Sequence, residues 1–302
     1  MSETWNGVFT CSRCREPLEQ PKCGQAEKVF FYYEPIACPK CDSPVDWWKE
    51  VFVAVRENHM RWYAFKALGA ETKYAVVPAS PGDIVEFDNV AAGMPAGSLI
   101  LNRTISCKGY ICAYDRSIND TTPKSLNVSL YIGSFGQRPS DFDSEVVIAL
   151  TYIEPGHDGV PWQSLIEAFE SYTQNDYVRM IVSANVAVEA MLTPFIASVL
   201  DNVASSQNAK SFLDNAATYS HQLNVLLPLI LFRTSLPRMT DALRGRLNRL
   251  RDLRNQVAHN GATEKPLLRH EAAEMICAGL FGFQYLKILV AKYKELGTES
   301  AT

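Results

Sequence analysis

The sequence predicts a multidomain α+β protein. Its expected parts are a small four-cysteine metal module, an antiparallel β-sandwich or barrel, and a C-terminal α-helical bundle. Three observations predict this. Two C-x-x-C pairs, Cys11/Cys14 and Cys38/Cys41, stand near the start of the chain. Short alternating runs broken by Gly, Pro, Asn and Asp fill the middle. Stretches with apolar residues at three- and four-residue steps fill the remainder. The expected boundaries are 1–48, 49–156 and 161–297.

Composition limits the classes of function. The 302 residues are 47% hydrophobic and 21% charged, which describes an ordinary globular chain long enough for two domains and a small third module. A net charge of −4 argues against indiscriminate polyanion binding, so any nucleic-acid contact must be local. No basic-then-apolar leader opens the sequence, and a cytoplasmic location is expected. The apolar run 181–200 carries Asn185, Glu189 and Pro194. A carboxylate at mid-span costs about 2.5–3.5 kcal/mol on membrane-insertion scales, so this run reads as a buried helix, with no membrane partner.

The cysteines come first in the chain. Four thiolates in tetrahedral array make a structural zinc site, and without a secretory signal zinc is preferred over disulfides. The ligands are Cys11, Cys14, Cys38 and Cys41. Cys23 is the spare: either a turn thiol or a substitute for one ligand. The run 28–33 (KVFFYY) between the pairs reads as a strand. Cys107, Cys112 and Cys277 read as small buried hydrophobes. A full four-cysteine shell leaves no open coordination position, so no catalytic metal is expected. The C-P-K-C-D run at 38–42 resembles a zinc-ribbon knuckle.

Strands are expected in the middle at 51–56, 62–67, 74–77, 83–87, 98–102, 109–114, 125–132 and 145–152. No glycine loop for phosphate is present. His59, beside Arg61 and Trp62, reads as a structural strand-edge histidine.

After a Gly/Pro/Asp linker at 156–161, helices are expected at 161–173, 176–202, 209–232, 241–259 and 267–296, joined by short connections. The stretch 240–261 organises the whole. Leu243, Leu247, Leu250, Leu253 and Val257 share one helical face, Thr240 stands at the N-cap, and Gly261 stands where a left-handed residue ends a helix. Arg244, Arg246, Arg249, Arg251 and Arg254 form a cationic back, the first four read as RNA-binding. Asn255 and His259 lie one turn apart, and Arg254 sits roughly 140° around from His259. Arginine suits a phosphate, and histidine titrates near neutrality. In the apolar helix before them, Asn185 and Glu189 share a face. They either brace Arg254 or His259, with Glu189 the candidate partner of Arg254, or form a structural pair inside the bundle.

The R-N-x-x-x-H run at 254–259 resembles the signature of HEPN-domain ribonucleases, and the run 161–192 resembles the first helices of that domain. The resemblance implies a metal-independent endoribonuclease in which a 2′-hydroxyl attacks its own phosphodiester and leaves a 2′,3′-cyclic phosphate. Arg254 would hold the phosphate, His259 would transfer the proton, Asn255 would orient them and Glu189 would brace them. It also implies a homodimer, RNA as the partner and a role in antiviral defence or toxin-like growth arrest under an unidentified trigger or antitoxin. The competing expectation is a non-catalytic nucleic-acid-binding or regulatory scaffold with a structural zinc site.

Overall fold

A computed structural model describes residues 9–18, 21, 24–57, 69–108, 111–115, 124–130, 144–154 and 159–299. Cys23, His59 and the strand expected at 62–67 lie outside the described residues. The chain is mixed α/β and forms two compact units, and every strand pair among the described residues is antiparallel. Among the described residues, one unit joins 9–57 to 159–299, and the other lies within 69–154.

The first unit begins with a duplication that the bare sequence conceals. Strands β1 (Phe9–Thr10) and β2 (Pro17–Leu18) pair as a hairpin, and helix α1 (Gly24–Tyr32) follows. Strands β3 (Ile36–Ala37) and β4 (Pro44–Val45) repeat the hairpin, and helix α2 (Trp47–Glu57) repeats the helix. Both hairpins carry C-x-x-C-x-x-P between equivalent positions. The strands expected at 28–33 and 51–56 are therefore corrected: residues 28–32 belong to α1 and residues 51–56 to α2. Their aromatic and β-branched residues favour strands locally, but tertiary burial overrides that preference. Trp47, Trp48, Val51, Ala54 and Val55 are buried at helical spacing, and Asp46 accepts the Lys49 amide at 3.1 Å as the N-cap.

The second unit holds two three-stranded antiparallel sheets. Strands β5 (Glu71–Pro78), β7 (Leu99–Lys108) and β10 (Glu145–Ile153) form one, ordered β5-β10-β7. Strands β6 (Ile84–Phe87), β8 (Ile111–Asp115) and β9 (Lys124–Leu130) form the other, ordered β6-β9-β8. Val146, Ile148 and Leu150 alternate inward from β10 and share one core with Val85, Phe87 and Ile111 of the other sheet.

The first unit then continues with α3 (Val160–Thr173), α4 (Tyr177–Leu200), α5 (Ser206–Asn215), α6 (Tyr219–His221), α7 (Leu227–Thr234), α8 (Asp241–Asn260) and α9 (Arg269–Glu299). The helix expected at 209–232 divides, because Ser205 and Thr218 each cap a fresh start. A π-helical turn over Gln222–Leu226 joins α6 to α7. Pro228 explains it: proline has no amide to give, and its ring displaces the carbonyl four residues back, so the preceding turn widens.

Helix α9 is the axis of this unit, packing on α1, α2, α3, α4 and α8. Two glycines let the neighbours approach. A Cβ at Gly279 would lie 3.1 Å from the Ala184 Cβ, and one at Gly282 would lie 2.9 Å from Leu247 Cδ2. Among the described residues, α4 and residues 269–296 of α9 are long and apolar enough to cross a membrane, yet 56% and 78% of their most apolar windows are buried inside the protein. A helix buried in a protein core passes the same test of length and composition.

Candidate functional site

The cysteine cluster is built by the two knuckles. Cys11 accepts the Arg15 amide at 2.9 Å and donates its own amide to Glu16 at 2.8 Å; Cys38 does the same with Asp42 at 3.0 Å and Ser43 at 2.9 Å. Arg15 and Asp42 both take left-handed backbone, with φ of 62° and 56°, which turns each chain back around its sulfurs. The sulfurs pair across the repeat: Cys11 to Cys41 at 3.7 Å and Cys14 to Cys38 at 3.6 Å. The knuckles also clasp reciprocally, Arg13 donating to Ser43 at 3.2 Å and Lys40 pairing with Glu16 at 3.0 Å.

All four sulfurs lie within 4.8 Å of one another, an arrangement compatible with a metal site. A disulfide would need about 2.05 Å. Four sulfurs at about 2.3 Å from a tetrahedral ion stand roughly 3.8 Å apart, close to the two measured pairs. The thiols do not ionise alike on their own. The Ser43 hydroxyl and amide lower Cys41 to about 6. At Cys14 the Glu16 amide pulls down, but burial and neighbouring thiols prevail and push it up to about 12. Four thiolates together require a cation.

The second candidate site lies along α8. Thr240 accepts the Leu243 amide at 3.3 Å, Gly261 ends the helix at φ 72°, and Leu243, Leu247 and Leu250 are fully buried. The arginines expected to hold RNA are engaged elsewhere. Arg244 binds Asp241 at 2.6 Å, and Arg246 binds Glu274 of α9 at 3.5 Å. Arg249 spans Glu271 at 3.1 Å and Glu274 at 3.4 Å, and Arg251 binds Asp252 at 2.6 Å and the Ser220 hydroxyl. A phosphate at any of these four would compete with a carboxylate for the guanidinium.

Arg254 differs. Among the described residues it forms no ion pair, and its Nη1 donates to Asn255 Oδ1 at 3.4 Å. It continues the Leu247/Leu250 stripe, half-buried, while Asn255 lies beside it and His259 is exposed in the last turn. Gln256 accepts the Glu264 amide at 3.1 Å and holds the loop that leaves this end.

Glu189 makes no ion pair with Arg254. It accepts from Asn185 Nδ2 at 3.3 Å. Burial pushes the Tyr219 phenol up; Glu189 adds to the rise and Arg251 opposes it. So Glu189 and Arg251 both act on Tyr219, a residue absent from the sequence reading. The π turn supports this cluster on both sides. Asn224 and Asn248 of α8 exchange amide hydrogen bonds at 2.9 and 3.0 Å, and Thr193 of α4 donates to Gln222 at 2.7 Å. The one signal in the sequence was Pro228 inside a helical run, which marks a local break.

Compared with protein-family models, curated proteins and solved structures, the chain matches none.

Proposed function

We propose that this protein is a metal-independent endoribonuclease of the HEPN kind, with a zinc-ribbon-like module whose four cysteines hold a structural Zn2+. The observation that carries the reading is Arg254. Among the described residues it is the α8 arginine without a carboxylate, and it stands beside Asn255 in the helical turn before His259. An arginine held half-buried with an open guanidinium is suited to a phosphodiester.

In the proposed reaction a ribose 2′-oxygen attacks the adjacent phosphorus and loses its proton. The bond to the 5′-oxygen breaks, and that oxygen gains a proton. The products are a 2′,3′-cyclic phosphate and a 5′-hydroxyl. His259 delivers the proton to the leaving oxygen, Arg254 holds the non-bridging oxygens as charge builds on them, and Asn255 orients the guanidinium. One imidazole is short of the two proton transfers, so the active form is a homodimer that pairs two such helix ends. The zinc has no part in the chemistry, since four thiolates fill its shell. The setting is cytoplasmic defence or growth arrest, with release by a trigger or antitoxin. The test is an oligonucleotide series: RNA should be cut, while DNA and fully 2′-O-methylated RNA should stay intact. Cutting of all three would remove the internal nucleophile from the account.

The ion pairs of Arg246 and Arg249 with Glu271 and Glu274, and of Arg244 and Arg251 with Asp241 and Asp252 of their own helix, favour a second reading, a non-catalytic scaffold in which Arg246 and Arg249 hold α8 to α9 by charge. In that case His259→Ala keeps whatever RNA affinity the protein has, and no cleavage exists to be lost.

A further inference from the structure

The strongest unexplained feature lies around Glu189. Asn185 is 1% exposed and Tyr219 8%. Asn185 Nδ2 donates to Glu189, and the carboxylate fixes that orientation, since a reversed amide would face oxygen to oxygen. Among the described residues this leaves Asn185 Oδ1 buried with no partner, and the Tyr219 hydroxyl is buried with none. Native cores seldom keep such atoms without a use for them. Here two belong to residues acting on one carboxylate. Glu189 itself is partly exposed, and the Arg251 side chain is 20% exposed, so the cluster reaches the surface.

The free capacity has a defined pattern. Tyr219 offers a donor, held protonated by burial, while Asn185 Oδ1 and the Glu189 carboxylate offer acceptors. A single hydroxyl can accept from the phenol and donate to one oxygen; two adjacent hydroxyls satisfy all three groups. A carbonyl or a phosphate cannot, because neither donates. The neighbouring cationic helix carries Arg254 without an ion pair among the described residues.

We propose that Asn185, Glu189 and Tyr219 form a subsite for the ribose hydroxyls of a nucleotide whose phosphate lies toward Arg254. This rests on reading α8 as a helix that handles RNA, and it adds the group that tells RNA from DNA by binding as well as by reactivity.

The experiment is calorimetric titration of the intact, zinc-loaded protein with ribonucleoside 5′-monophosphates, which carry the adjacent 2′- and 3′-hydroxyls, and their 2′-deoxy counterparts. The ribose forms should bind about tenfold more tightly. Tyr219→Phe removes one oxygen and should reduce that preference to about twofold or less, with the melting temperature unchanged or raised, because the lost hydroxyl had no partner. Glu189→Gln should weaken the ribose form alone. Equal affinity for ribose and deoxyribose in the wild type overturns the proposal. So does a preference that survives Tyr219→Phe, as expected if the cluster holds only an ordered water. A lower melting temperature in Tyr219→Phe also overturns it, since the hydroxyl is then satisfied internally. RNA cleavage in the same preparations separates the two readings: discrimination without cleavage keeps the subsite and removes the nuclease, and cleavage without discrimination does the reverse.

Discussion

The Trp48 ring lies 3.7 Å from that of Phe281, centroid to centroid, and joins the cysteine-bearing repeat to the last helix. Tyr33 stacks on the same indole at 4.1 Å, and the indole nitrogen donates to the Val29 carbonyl at 2.9 Å. Phe31 meets Tyr285 one helical turn further on, at 5.3 Å. The cysteine-bearing repeat and the last helix therefore share one core, and the cysteine module and the helices should lose structure together.

Metal removal tests that coupling. One zinc per chain is expected, and its withdrawal by a chelator should expose four reactive thiols and lower the melting temperature of the helical signal. A helical transition indifferent to the metal would separate the two parts.

Trp48→Ala should destabilise the helical unit by about 3–5 kcal/mol, read from denaturant midpoints by circular dichroism. The substitution removes a nearly fully buried ring that touches three aromatic neighbours.

Two glycines give opposite expectations. Gly282→Ala places a Cβ 2.9 Å from one Leu247 methyl and 3.1 Å from the other, and should destabilise by about 1–3 kcal/mol through overpacking. Gly245→Ala in α8 meets nothing within 4 Å and should stabilise by roughly 0.5–1 kcal/mol through helix propensity. Thermal melts of the two variants should move in opposite directions.

Acid should weaken the start of α9. The Leu268 amide donates to Glu271 at 3.0 Å, and with Arg249 it holds that carboxyl below its ordinary 4.5, against a rise from burial. A depressed carboxyl contributes stability above its unfolded value and loses it as pH falls through the folded one. Wild-type urea midpoints should therefore drop as pH falls below about 4.5, while Glu271→Gln should be weaker at neutral pH and converge with wild type once the folded-state carboxyl is protonated.

Much of this architecture was legible in the sequence, for local reasons. Helix α8 announces itself through its leucine stripe, Thr240 and Gly261, and the C-x-x-C spacing brings the sulfurs together whatever lies between. The strands of the β unit also fall close to where their alternation puts them. The runs at 28–33 and 51–56 misled because a short aromatic and β-branched run fits strand or buried helix equally. For 51–56 the arbiter lay just upstream, in the 47, 48, 51, 54, 55 spacing. The repeat stayed hidden because its halves share little beyond C-x-x-C-x-x-P. Arg246 and Arg249 read as free because their carboxylates, Glu271 and Glu274, stand more than twenty residues away and meet α8 only after α9 packs, whereas Arg244 and Arg251 pair within the helix with Asp241 and Asp252. Tyr219 gave no signal, since a buried tyrosine in a helix is ordinary until its neighbours are known.

The most direct test is cleavage of end-labelled RNA by zinc-loaded protein without added divalent metal, alongside Arg254→Ala and His259→Ala. The account predicts fragments with 2′,3′-cyclic phosphate and 5′-hydroxyl ends, formed about 10²–10⁴-fold more slowly by each variant. Intact RNA with the wild type, or equal cutting by all three proteins, would contradict it.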